Sequence, residues 1–91
     1  MTILRIVNRH IDREMYDAIN ERLDIDRQHP LGLIMHGASD VHGKMQVAQV
    51  WESAEYARRF DQDVLKPVLQ AVGAPLEADT VIVELEHLVT P

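Results

Sequence analysis

The sequence contains no cysteine, which removes disulfides, iron–sulfur clusters, thiolate zinc sites and thiol nucleophiles together and leaves the redox compartment unmarked. Positive charge is scarce: 9 Lys and Arg stand against 15 Asp and Glu, for a net charge of −6. No basic run offsets it, so a nucleic-acid or anionic-membrane partner is not expected, because counterion release would not favour association. No apolar run approaches the ~18 residues of a membrane span. Met1–Asn8 is too short, and too soon followed by charge, to be a signal peptide, and a cytoplasmic protein is expected. There is no Gly-rich phosphate loop, no dinucleotide fingerprint and no supported Ser-His-Asp pattern, and no cofactor is expected. The five histidines show no HxH, HExxH or HxxxH spacing, so no metal site is expected either. At 91 residues the chain reads as one domain, 1–91, burying roughly 64% of its unfolded surface in one modest core.

Glycine and proline are few, four of each, and they punctuate the chain around Pro30–Gly32, at Gly37 and Gly43, and at Gly73-Ala74-Pro75. Thr2–Asn8 is apolar and β-branched over a strand length, with Arg5 its only charge. From Ile11 to Ile25 the period becomes helical, with Ile11, Met15, Ala18, Ile19 and Leu23 forming one stripe. Leu31–Ala38 and Lys44–Trp51 read as two strands joined by the five residues Ser39–Gly43, a hairpin. Ser53 offers an N-cap and Glu55 a first-turn carboxylate to a second helix. Its inward face would carry Tyr56, Phe60, Val64 and Val68, with a kink or break at Pro67 and an end at Gly73. Thr80–Val89 alternates as a fourth strand.

The order β-α-β-β-α-β folds through right-handed crossovers into a ferredoxin-like α+β domain, a four-stranded antiparallel sheet with two helices on one face. Both sheet faces are apolar: Leu31, Leu33 and Met35 oppose Ile34 and Ala38, and Met45 and Val47 oppose Ala48 and Val50. The helices cover one face, so a second subunit packed sheet to sheet is expected on the other, giving a homodimer.

The run Val50-Trp51-Glu52-Ser53, followed by Tyr56 and Phe60, resembles the dimeric α+β barrel superfamily, in the neighbourhood of the antibiotic-biosynthesis monooxygenase-like proteins. The resemblance implies a homodimeric α+β barrel with a pocket between sheet and helices. In the register of the haem-degrading branch, the helix tryptophan falls on Phe60, the iron-ligating histidine on Gln70 and the strand-one asparagine on Asn8, so haem chemistry is disfavoured. In the polyketide-cyclase register the strand histidine falls on Met45, the helix tyrosine on Phe60 and the helix histidine on Lys66, and no acid-base group survives. The same register implies that Met45, Val47, Gln49 and Trp51 face the cavity with Tyr56 and Phe60; Asn8 completes the candidate ligand-binding set.

His36 and His87 each interrupt an apolar strand, where an imidazole is buried only with a hydrogen-bonding partner. Brought to one cavity, they would serve as base and acid on a phenolic or enolisable substrate; the commoner use is a core or interface histidine. In the last strand, either the odd face points inward and carries His87 into the pocket, or the even face does and carries Glu84 and Glu86. Trp51 and Tyr56 would stack on an aromatic ligand or simply fill the core. Arg5 is expected to pair with Glu84 or Glu86, with a ligand carboxylate as the other use. The expected function is that of a homodimer binding a small apolar or aromatic molecule, with cofactor-free monooxygenation or cyclase-like chemistry if it is an enzyme. The alternative is a non-catalytic ligand- or partner-binding dimer.

Overall fold

Residues 1–90 are described by the computed structural model. The β-α-β-β-α-β order is realised as β1 (Ile3–Arg9), α1 (Arg13–Leu23), β2 (Leu33–Val41), β3 (Lys44–Trp51), α2 (Ala54–Phe60), a π-helical turn (Asp61–Leu65), α3 (Lys66–Val72) and β4 (Asp79–Glu84). The strands pair antiparallel in the spatial order β2-β3-β1-β4. This is the ferredoxin-like α+β fold that the patterning predicts.

Local chemistry sets the ends of α1. Asp12 is the N-cap, with its carboxylate accepting from the Met15 N–H at 2.8 Å. Asp24 closes the helix in the left-handed region at φ 51° and donates its N–H to the Asn20 carbonyl. The expected helix ran from Ile11 to Ile25; both isoleucines are buried but lie outside the two caps, anchoring the chain as it enters and leaves.

The second helical run does not break at Pro67. Ser53 Oγ accepts from the Tyr56 N–H at 3.3 Å and starts α2. The π-helical turn then widens the spiral, with the Lys66 N–H bonding the Asp61 carbonyl five residues back. Pro67 falls in the first turn of α3, where its missing N–H is tolerated. The extra residue rotates everything after it by about 100°. Val64, expected inward, is consequently 41% exposed, and Leu65 and Leu69 continue the apolar stripe begun by Ala57 and Phe60. Gly73, at φ 73°, ends α3, and the Ala74 N–H returns to the Leu69 carbonyl at 2.9 Å.

Two further departures bear on the site. The β2–β3 connection is a two-residue turn, with His42 and Gly43 both at positive φ, so β2 runs on to Val41 instead of stopping at Ala38. Near its start, β2 carries a bulge: Leu33 pairs with Trp51, but Met35 pairs with Val50 and His36 with Gln49. Ile34 is the extra residue. Strict alternation from Leu33 would send His36 to the uncovered face; the bulge turns it to the helix side.

Register also decides the last strand. Thr80, Ile82 and Glu84 stand opposite Val7, Arg5 and Ile3, so the even face of β4 points to the helix side. Pairing stops at Glu84, and only the Leu85 N–H bonds onward, to the Thr2 carbonyl at 2.9 Å. The expected strand to Val89 is therefore shorter, and Glu86 and His87 lie beyond it.

The helix-side core has two clusters, one around a fully buried Trp51 with Ile3, Ile25, Leu33, Ala57 and Phe60, the other built from Ile11, Ile19, Met45, Leu69 and Ala74. On the other face, Leu4 and Ile6 stand beside Ala48 and Val50, flanked by Val81 and Val83 at one edge and Met35 at the other. No helix covers them, and Met35, Val81 and Val83 are 53%, 56% and 46% exposed.

Candidate functional site

Between the sheet and the helices lies a cavity of about 760 Å³ that touches both core clusters. Its floor is the helix-side register of three strands: Arg5, Val7 and Arg9 from β1, Met45, Val47 and Gln49 from β3, and His36 from β2. Tyr16, Ile19 and Leu23 of α1 form one wall, and Phe60, Asp61, Leu65 and Leu69 the other. The segment Leu76–Thr80 edges the opening. The volume suits a ligand of drug-like size, and the apolar walls suit a greasy one.

The buried polar groups of the floor are bonded to each other and to Asp61 and Tyr16 of the walls. Arg5, 5% exposed, meets Asp61 through Nη1 and Nη2, the latter to Oδ1 at 3.0 Å. Its Nε and Nη2 donate to Gln49 Oε1 at 3.1 and 2.8 Å. The guanidinium carbon lies 5.7 Å from the centroid of the Trp51 ring, which adds a cation–π contact. A buried cation is costly unless its donors are satisfied. Among the described residues no buried side-chain nitrogen or oxygen is left without a partner.

Gln49 joins this ion pair to a second pair. Its Oε1 also accepts from Trp51 Nε1 at 3.0 Å, and its amide nitrogen contacts His36 Nδ1 at 3.1 Å. His36 Nε2 lies 3.1 Å from the Tyr16 hydroxyl. Burial pushes the His36 pKa below its usual value, opposed by the charge of Asp26, and pushes Tyr16 above its usual value, assisted by Asp17 and Asp26. Both groups are thereby favoured in their neutral forms. Arg9 donates to the carbonyls of Pro75 and Leu76 at 3.2 and 3.5 Å. Its pKa is lowered by burial, with Asp61 opposing and Arg5 adding to the shift. Among the described residues, no group of three or more His, Cys, Asp or Glu is placed to hold a metal, and no helix is long and apolar enough to cross a membrane.

No protein-family model matches the chain, and no curated protein does. Solved structures do match over nearly its whole length. A protein of Mycobacterium tuberculosis, Rv0793, superposes with a TM-score of 0.70 at 9% identity, covering 99% of this chain and 100% of that one. A monooxygenase of Streptomyces coelicolor, solved in complex with nanaomycin D, gives 0.65 at 15% identity, over 98% and 91% of the two chains. SnoaB of Streptomyces nogalater, a cofactor-independent oxygenase, gives 0.63 at 14% identity, over 99% and 96%. The chain has the fold of these proteins. At such identities the likeness is one of backbone architecture, and it agrees with the antibiotic-biosynthesis monooxygenase-like fold expected from Trp51-Glu52-Ser53.

The structure gathers some of the anticipated residues and separates others. His36, Met45, Val47, Gln49 and Phe60 line the cavity together. Trp51 sits beneath it, fully buried, touching the site through Gln49 and stacking at 5.4 Å against Phe60. Tyr56 is not at the cavity; its ring packs over Gly32. Asn8 projects from the uncovered face, where Oδ1 accepts from the Gln46 amide at 3.1 Å. His87 is exposed beyond β4 and does not line the cavity with His36, because the sheet ends before it. Arg5 pairs with Asp61 rather than with Glu84 or Glu86, since Glu84 lies opposite Ile3 and Glu86 lies past the strand. Tyr16, Asp61 and Arg9 escaped the sequence reading. Tyr16 lies one residue past Met15 of the α1 stripe, a position from which a long side chain still reaches the sheet.

Proposed function

We propose that the protein is a homodimer whose two sheet–helix cavities each bind a small, largely apolar aromatic molecule. The observation that carries this reading is the cavity of about 760 Å³: Ile19, Leu23, Phe60, Leu65 and Leu69 give its walls apolar surface, while Arg5, Asp61, Gln49, His36 and Tyr16 form one hydrogen-bonded polar network along it. Aromatic ligands match such walls, and one oxygen substituent would meet the floor. The dimer draws support from the uncovered sheet face, where half-buried Leu4 and Ile6 lie beside exposed Val81 and Val83, with exposed Met35 at the other edge. A stable interface there would bury more than about 1,200 Å² in total.

In its enzymatic form this reading is cofactor-free oxygenation or cyclisation of an activated phenol, with His36 beside the substrate. Fold neighbours that are themselves oxygenases support it. In its non-catalytic form the protein is a ligand- or partner-binding dimer. One observation favours that second form: both ring nitrogens of His36 already have protein partners, so no lone pair waits for a substrate proton.

Native mass spectrometry of protein purified gently from its own host tests both parts in one spectrum. Two chains plus a discrete small-molecule mass is the expected result, and the recovered compound is then assayed for turnover with oxygen. A compact monomer at micromolar concentration overturns the dimer. Two bare chains that also fail to bind a panel of naphthyl compounds overturn the ligand site.

A further inference from the structure

The floor of the cavity has a hydrogen-bond direction, and it can be traced atom by atom. Gln49 Oε1 faces Arg5 Nε, Arg5 Nη2 and Trp51 Nε1, at 3.1, 2.8 and 3.0 Å. All of these groups are donors and none can accept, so the amide is fixed with its oxygen toward them. Flipping it would set an NH₂ against N–H groups on a buried floor. The Gln49 Nε2 must then point at His36 Nδ1, 3.1 Å away, as a donor. A neutral imidazole that accepts at Nδ1 carries its proton on Nε2. That Nε2–H donates to the Tyr16 oxygen at 3.1 Å. Tyr16 makes no other side-chain hydrogen bond among the described residues, and its half-buried ring lines the cavity.

We infer that His36 is locked as the Nε2–H tautomer and that Tyr16 therefore aims its hydroxyl proton into the cavity, selecting ligands that present an acceptor oxygen such as an aryl ketone or quinone carbonyl. The inference rests on the cavity being an aromatic-binding site and adds the polarity of its anchor. Tyr16 is a ligand-contacting donor. His36 and Gln49 are positioning residues that act through it, and Arg5 and Trp51 hold Gln49 in the required orientation. Burial disfavours the charged forms of both His36 and Tyr16, which keeps the chain of donors intact near neutral pH.

The tautomer is read directly from two-bond ¹⁵N–¹H correlation spectra of the ligand-free protein. A pyridine-type Nδ1 and a pyrrole-type Nε2 at His36 are expected, while a proton on Nδ1, or a cationic ring near neutral pH, overturns the inference. The ligand arm uses ¹³C-carbonyl 2-acetonaphthone and its acceptor-free shape analogue 2-isopropenylnaphthalene. The ketone is expected to bind roughly 3- to 10-fold more tightly, the worth of one net hydrogen bond. Its carbonyl stretch should fall on binding, and should rise again in Tyr16→Phe, in which both compounds bind about equally. Equal affinities in the parent protein, or a stretch unmoved by Tyr16→Phe, overturn the inference and leave the aromatic site standing. If neither compound binds, the aromatic-site reading fails and the ligand selectivity fails with it, while the tautomer spectrum still judges the direction of the chain.

Discussion

The two halves of the Arg5–Asp61 pair differ in their access to water, and this asymmetry makes a quantitative prediction. The Arg5 side chain is 7% exposed and that of Asp61 is 39% exposed. Left alone, Asp61 can hydrate; Arg5 cannot. In Asp61→Ala the guanidinium loses its acceptors at Nη1 and at one Nη2 position, keeping only Gln49 Oε1, and it still faces Arg9. Stranding one member of a fully buried pair costs about 3–5 kcal/mol. Water reaching Nη1 through the exposed side of the pair reduces this, and about 2 kcal/mol is expected. That corresponds to a melting shift of roughly 8–16 °C for a chain of this size. Adding Arg5→Met removes the stranded charge while Trp51 still donates to Gln49, so the double variant should recover about 1 kcal/mol relative to Asp61→Ala. The assay is urea unfolding at one fixed protein concentration, since dimerisation would make stability concentration-dependent. A double variant no more stable than Asp61→Ala, or an Asp61→Ala within about 0.5 kcal/mol of the parent as an ordinary surface change would be, refutes the reasoning.

Gly32 sits at φ 87°, and a Cβ there would overlap the Tyr56 ring, whereas Gly43 at φ 82° opens to free space. Gly32→Ala is expected to cost on the order of 2–4 kcal/mol and Gly43→Ala about 1 kcal/mol, read by thermal melting; equal costs would deny the Tyr56 contact. Burial lowers the His36 pKa below its ordinary 6.5, so below that value the unfolded chain binds a proton that the folded one refuses. Stability should fall as pH drops through the interval between the two values and level off beneath it, and His36→Gln should lose that component, narrowing its deficit against the parent as pH falls below the ordinary value. An unchanged deficit refutes the burial of a neutral ring. Val83→Glu places a carboxylate on the uncovered face, where Val83 lies beside Leu4, and should shift a micromolar sample from dimer to monomer in sedimentation analysis without unfolding it; an undisturbed dimer would put the interface elsewhere.

The element order was legible because each segment had one dominant period and because Ser53 marked a helix start unambiguously. What escaped was decided by single residues acting over distance. Ile34 looks like any strand residue, yet it is the bulge that sends His36 inward. The turn at Asp61–Leu65 has no apolar signature of its own, but it exchanges Val64 for Leu65 on the inner face and leaves Asp61 under the guanidinium. Thr80–Val89 alternates to its end, and nothing in that pattern says that β4 runs out of partners at Glu84, opposite the first residue of β1. Arg5 invited a cross-strand acidic partner; its actual one stands 56 residues away on a helix, a pairing that no local rule reaches. For the cavity floor, the family resemblance implied that Met45, Val47 and Gln49 face the cavity; strand alternation puts the three on one face of β3 but does not by itself say which face is covered.

Arg5 is an expensive way to fill a sheet position. A methionine there would pack against Trp51 with no charge to desolvate, and buried ion pairs are commonly matched or exceeded in stability by such replacements. What a methionine could not do is hold Gln49 Oε1. Without the guanidinium the amide would keep only Trp51 Nε1 as a donor, the flipped orientation would become competitive, and His36 would lose the constraint on its tautomer. The same floor would then present Tyr16 as donor in some molecules and acceptor in others. The charge is thus best understood as setting direction rather than adding stability, and the two contributions separate experimentally. Arg5→Met should leave the melting temperature nearly unchanged or lowered by only a few degrees while the His36 ¹⁵N spectrum shows both tautomers. A single Nε2–H tautomer surviving in that variant would mean that Trp51 alone suffices to orient Gln49, and that the buried cation serves the Asp61 side of the cavity instead.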